Sequence, residues 1–119
     1  MTELAKLDVE HRQGVLVAHV AGEIDGSNAA DVGEQLLGEL SNQARGMVLD
    51  LSETEYFDSS GVHLLFDMAR RLKLRQQELR VVAGQESFAA DLLELTGFAG
   101  AAPVDDSVSS AVGALSERS

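Results

Sequence analysis

The sequence predicts a single α/β domain: a mixed, mostly parallel sheet of about five strands with about four helices packed on it. Three observations lead there. Short apolar runs rich in Val, Leu and Ala alternate with stretches whose apolar residues recur every three or four positions, the pattern of strands joined by crossover helices. A turn-forming segment, HRQG, separates the first two runs, so these pair as an antiparallel hairpin. And 119 residues with 45% hydrophobic content suffice for one core but not for two.

The elements follow in order. KLDVEH alternates Leu7 and Val9 with polar neighbours, and GVLVAHVAG is a nearly continuous apolar run, which predicts a second strand covered on both faces. GEID closes that strand, and GSN opens a helix with Ser27 or Asn28 as its cap. Ala29, Val32, Leu36 and Leu40 form the helix's apolar stripe, while Gly33 and Gly38 lower its intrinsic propensity. GMVLDL, residues 46–51, reads as a central strand. After DSSG, residues 58–61, comes a helix whose inner face is Val62, Leu65, Phe66, Ala69 and Leu72. LRVVA, residues 79–83, is the next strand. Phe88, Leu92 and Leu95 mark a third helix stopped by Gly97. AAPV is an edge strand, since Pro103 fits poorly in a central one. Val108, Ala111, Val112 and Leu115 form the last helical stripe. The order is β-β-α-β-α-β-α-β-α. The domain is expected to span residues 1–119, with its core at about 7–115 and a fraying tail, ALSERS.

Charge and composition exclude several functions. Twenty acidic residues against nine Lys plus Arg give a net charge of -11, which opposes binding to nucleic acid or to an anionic membrane. A protein partner is expected to offer a basic surface. With no cysteine there is no disulfide and no thiolate metal site, and neither a metal nor a cofactor is expected. No basic segment precedes an apolar stretch as in a secretion signal, and the apolar runs are too short to cross a bilayer. A reducing cytoplasm is the expected compartment.

Function is expected at the corners. GEID and DSSG both fall at carboxyl ends of predicted strands, where open α/β sheets gather their working surfaces. Asp58, Ser59 and Ser60 are all good helix caps, accepting bonds from orphan amides. One serine suffices as a cap, which leaves the other hydroxyl free at the helix's positive end, where a phosphate is tolerated. Either serine qualifies on these grounds. Glu23, Asp25, Glu53, Glu55 and Asp58 are expected to approach this same end of the sheet.

GEID, VLDLSETEYFDSSG (residues 48–61) and LTGF (residues 95–98), in this order and spacing, resemble the stand-alone STAS domains of the anti-sigma factor antagonists. The resemblance spans about residues 7–115. It implies an antagonist that binds an anti-sigma factor, a serine kinase with a GHKL-type ATP site, and so frees a sigma factor. It implies that the kinase phosphorylates Ser59, which releases the partner, and that a PP2C-type phosphatase restores the unmodified state. Glu23, Asp25, Ser27, Asp58, Ser60, Gly61, Leu64 and Met68 are the partner-binding residues it implies. An alternative within the resemblance is a STAS subunit of a lipid-transport ATPase or a signalling scaffold, without regulated phosphorylation.

Some of these residues have plainer roles open to them. Leu64 and Met68 flank the buried stripe of their helix and either widen the core or form an apolar patch for a partner. Arg70, Arg71, Lys73 and Arg75 form a basic run in which Asp67 is spaced to pair with Arg70 and Arg71, as on a solvated helix face. His63 stands where the family carries a small residue. It is an exposed surface residue, a partner for a phosphate, or an obstacle to the kinase. Catalysis by Ser59 and His63 is not expected, because no G-x-S-x-G elbow is present and the acidic surroundings oppose an oxyanion.

Overall fold

The computed structural model describes residues 4–116. Among them six strands form one sheet: β1 (Ala5–Arg12), β2 (Val15–Ile24), β3 (Gly46–Asp50), β4 (Thr54–Phe57), β5 (Glu78–Val82) and β6 (Val104–Asp105). Four α-helices pack on it: α1 (Ala29–Glu39), α2 (Ser59–Leu74), α3 (Phe88–Thr96) and α4 (Val108–Ser116). The strand order is β1-β2-β3-β5-β6, antiparallel only between β1 and β2. Gln13 (φ 53°) and Gly14 (φ 79°) join these two, and two successive left-handed residues match the twist of a two-residue hairpin.

The sixth strand, β4, is absent from the sequence reading. β3 runs parallel to the first half of β2, from the Val15–Gly46 pair to the His19–Asp50 pair. The chain then steps out at Ser52 and Glu53 and resumes along the second half of β2 as β4. The buried Thr54 hydroxyl bridges this step by donating to the Val20 carbonyl at 2.7 Å. A register shift between Gly22 and Glu23 leaves Glu55 with no residue opposite it, so Thr54 and Phe57 are buried while Glu55 and Tyr56 are exposed. A four-residue strand whose alternation is broken by a bulge carries no period-two signal.

Two cores flank the sheet. Leu16, Ala18 and Val20 of β2 face the larger one, with Leu36, Leu65, Leu93 and Phe98, whereas Val15 and Val17 face a smaller one with Ala111, Val112 and Leu115 of α4. The amino-terminal half of β2 is thus covered on both faces, as predicted, and Ala21, Gly22 and Glu23 are not. Beyond the reach of α4, on the face of Val15 and Val17, His19 joins three strands. Its Nδ1 lies 2.7 Å from Asp50 of β3 and its Nε2 2.7 Å from Glu10 of β1. The Glu10 carboxylate raises the His19 pKa, partial burial opposes it, and Asp50 adds to the rise.

On α2 the buried stripe is widened by Leu64 and Met68, one of the two roles open to them, and on α3 the buried face is turned from the expected one. Leu64 and Met68 are 7% and 1% exposed, packed beneath α1, where a Cβ on Gly33 would stand 2.8 Å from Leu64 Cδ1. The close approach of α1 draws the buried stripe toward them, and Val62, Phe66 and Ala69 stay half-buried. α3 buries Ala89 and Leu93, leaving Phe88 and Leu95 at 46% and 84% exposure. It is rotated because it lies over β4, where Phe88 stacks on Tyr56 (5.6 Å between rings) and meets Phe57 edge-on. Gly97 ends α3 in the left-handed conformation (φ 72°). Of the expected fraying tail, residues 114–116 form the last turn of α4, and residues 117–119 lie outside the described residues. No helix among the described residues is long and apolar enough to cross a membrane.

Candidate functional site

β4 and β2 end side by side. Ile24 pairs with Phe57, and the Asp58 amide donates to the Ile24 carbonyl at 3.2 Å, so the GEID and DSSG corners become neighbours. Asp58 is extended (φ −98°, ψ −164°), and its Oδ1 accepts from the amides of Ser60 (2.8 Å) and Gly61 (3.4 Å). Asp58 alone caps α2. Neither serine does, contrary to the expected division of labour, and neither hydroxyl has a hydrogen-bond partner among the described residues. Ser59 is exposed, while Ser60 is half-buried with its Oγ 3.4 Å from where a Cβ on Gly26 would stand. At Gly61 a Cβ would stand 2.7 Å from Phe57 Cβ, so only glycine lets the first turn of α2 sit on β4.

The β2–α1 turn is rigid and acidic. Asp25 Oδ1 accepts from the Ser27 hydroxyl (2.6 Å) and amide (2.8 Å), which hold the Asp25 carboxyl below the usual carboxylate range. Asn28 precedes α1 but makes no side-chain cap. Its Oδ1 accepts from the Asp25 amide (2.9 Å) and its Nδ2 donates to the Glu23 carbonyl (2.9 Å), so it fixes the turn instead. Glu23 is exposed opposite Tyr56. Glu53 precedes β4 and is therefore set back from the corner by that strand's length, about 13 Å. The acidic cluster at the corner is Glu23, Asp25 and Asp58.

From the corner an open groove of about 740 Å³ runs between α1 and α2. Gly26, Ser59 and Ser60 form its near end, Gly33, Leu64 and Met68 its middle, and Glu34, Asp67 and Arg71 its far end. Leu64 and Met68 thus contribute to the core and to the groove at once. His63 borders the groove one turn from Ser59. The basic run is largely tied down: Asp67 accepts from Arg70 (2.6 Å) and Arg71 (2.8 Å), and Arg75 reaches Asn42 (2.7 Å). Seven of the residues singled out in the sequence, Glu23, Asp25, Ser27, Asp58, Ser59, Ser60 and Gly61, meet at this corner. Gly26 has no local signal in the sequence and Gly33 stands out there only as a weak helix former, because a glycine that gives room to a neighbouring element leaves no trace of that in its own segment. No cluster of three acidic or histidine side chains suited to a metal occurs among the described residues.

Residues 6–111 match the STAS domain family. The chain belongs to that family. This STAS domain is 36% identical over 97 residues to the anti-sigma-B factor antagonist of Listeria monocytogenes, covering 80% of this chain and 79% of the relative. It is similar in structure to an anti-sigma factor antagonist from Mycobacterium paratuberculosis, with a TM-score of 0.82, 26% identity and 93% of each chain covered. It shares its fold with an anti-sigma-factor antagonist (STAS) domain protein of Planctomyces limnophilus, with a TM-score of 0.74 at 21% identity, covering 95% of this chain and 99% of that one.

Proposed function

We propose that this STAS domain acts in the cytoplasm as an anti-sigma factor antagonist. It binds a GHKL-type anti-sigma factor serine kinase, frees the sigma factor, is released when that kinase phosphorylates Ser59, and is reset by a PP2C-type phosphatase. The observation that carries this reading is the exposed, unbonded Ser59 hydroxyl between the acidic turn and the groove. The 36% identity to a named antagonist supports the same role.

The local physics favours Ser59 over Ser60. Ser60 faces the Gly26 turn and is half-buried, so a kinase would have to open that contact, whereas Ser59 stands clear. A phosphate brings a charge of about −1.5 to −2. The Asp58 carboxylate already occupies the amides of Ser60 and Gly61, so the helix end does little to neutralise the newcomer. It adds instead to Glu23, Asp25 and Asp58. A switch from mostly bound to mostly free needs about 5 kcal/mol of differential affinity. A desolvated phosphate at the centre of an interface is large enough to supply it. The partner's contacts are assigned to Glu23, Asp25, Ser27, Ser60 and Gly61 at the corner and to the Leu64–Met68 groove.

The test is phosphorylation by each GHKL-type serine kinase of the source genome with labelled ATP. Wild type and Ser60→Ala take up label and Ser59→Ala does not. By calorimetry, Ser59→Asp binds the same kinase at least tenfold more weakly than wild type. Label persisting in Ser59→Ala, or unchanged affinity of Ser59→Asp, would refute the switch. A chain that no such kinase binds or labels would point to a STAS subunit of a lipid-transport ATPase or of a signalling scaffold.

A further inference from the structure

The geometry points to His63 as the cation that receives the phosphate on Ser59, so that the modified chain holds an internal phosphoserine–imidazolium pair. The inference rests on Ser59 being the acceptor, as proposed above. Ser59 and His63 are four residues apart on α2, which puts their Cβ atoms about 5–6 Å apart on one face. Side chains on a helix lean toward its amino terminus, so the imidazole tilts back toward Ser59. Both residues border the same groove, and His63 is exposed with no partner among the described residues.

The corner offers a phosphate little else. Of the first-turn amides of α2, those of Ser60 and Gly61 are held by Asp58, which leaves the one at Ser59 itself. Residues 25–28, β4, α1 and α3 contain no Lys or Arg. Lys6 pairs with Ala21, on the α4 side of the sheet, away from α2. On α2 the nearest arginine is Arg70, eleven residues and about 16 Å along the axis from Ser59, and Asp67 holds it together with Arg71. The charged groups that border His63 are Asp67, Arg70, Arg71 and Lys73 on its own helix and Glu34 across the groove. Asp67 is neutralised by two guanidinium groups, which leaves Glu34 as the standing competitor for the imidazole. A phosphate nearer in sequence and carrying more charge outcompetes one carboxylate.

The consequence is a modified state whose charge depends on the imidazole. With its proton on, the pair is closed and the net charge seen by a partner is partly cancelled. Without it the phosphate stands bare beside the acidic turn.

The test places phosphoserine at position 59 during synthesis, by genetic encoding, so that no kinase or partner enters. Histidine ring resonances and the ³¹P resonance are then followed against pH in modified and unmodified protein. The His63 ring is expected to keep its proton to a pH at least half a unit higher in the modified chain, with His11 and His19 unmoved as internal references. The phosphate should lose its second proton at lower pH than it does in the modified His63→Gln variant. A His63 titration that is the same with and without the phosphate would overturn the pairing, as would a ³¹P titration unaffected by His63→Gln. Failure here leaves the kinase assay of Ser59 untouched, and failure of that assay leaves this measurement intact.

Discussion

At Gly61 a single hydrogen in place of a side chain decides how the corner is built. Its φ is not left-handed, so the need is for space: a Cβ would stand 2.7 Å from Phe57 Cβ, an atom that cannot swing away like the end of a long side chain. Gly61→Ala therefore lifts the first turn of α2 off β4. We expect it to destabilise the fold by about 1–3 kcal/mol, the usual range for an overpacked site, read as a lower midpoint of urea unfolding at unchanged slope. An alanine variant as stable as wild type would show that the corner has slack. By contrast, Gly33 faces the flexible tips of Leu64 and Met68, which can move aside.

Among the elements, β4 is short, four residues long. It bonds to β2 on one side only, and on the other it is covered by α3 through Phe88. Phe88→Ala removes two aromatic contacts worth about 0.5–1.5 kcal/mol each. Hydrogen exchange should then quicken at the amides of Tyr56 and Phe57 while those of Val48 and Leu49, paired with strands on both sides, keep their wild-type protection. Equal acceleration in both places would mean that β4 and β3 open as one unit. The same element marks where sequence reading stops. The hairpin, the long strands and all four helices are legible in their apolar runs and stripes, and the DSSG corner is legible because it stands between two of them, while the choice of Ser59 within it is implied by the family resemblance alone. β4 is not legible, since a bulge breaks its alternation. The inward face of α3 was misjudged because Phe88 is drawn to a strand the pattern does not reveal. Leu64 and Met68 lie at the edge of the stripe in the sequence, and their widening of the core follows from how closely α1 approaches.

For the molecule as a whole, the three-strand link through His19 makes stability depend on pH in a defined sense. The His19 pKa is raised by Glu10 first, with burial opposing and Asp50 assisting, so its contribution is complete below the ordinary imidazole value of 6.5 and is lost as pH rises through the folded-state value. Glu10 is lowered, chiefly by Arg12 and then by His19. Asp50 is lowered although burial works the other way, because Ser52 and His19 both bond to its carboxylate. These two contributions are complete above the ordinary carboxylate values of 4.5 and 3.8 and are lost as pH falls. The link is therefore strongest between about pH 5 and 6.5. The melting temperature of wild type should fall from pH 6 to pH 8.5 by more than that of His19→Gln. Parallel curves for the two proteins would exclude the link as the cause. All of this takes place on the face of the sheet away from the groove. The end of α2 is closed by Asp58 with no help from the residue that follows it, so the molecule's architecture is indifferent to what position 59 carries. Hydroxyl, methyl or carboxylate at that position leaves the bonds of Asp58 in place, and the scaffold that presents it stays the same.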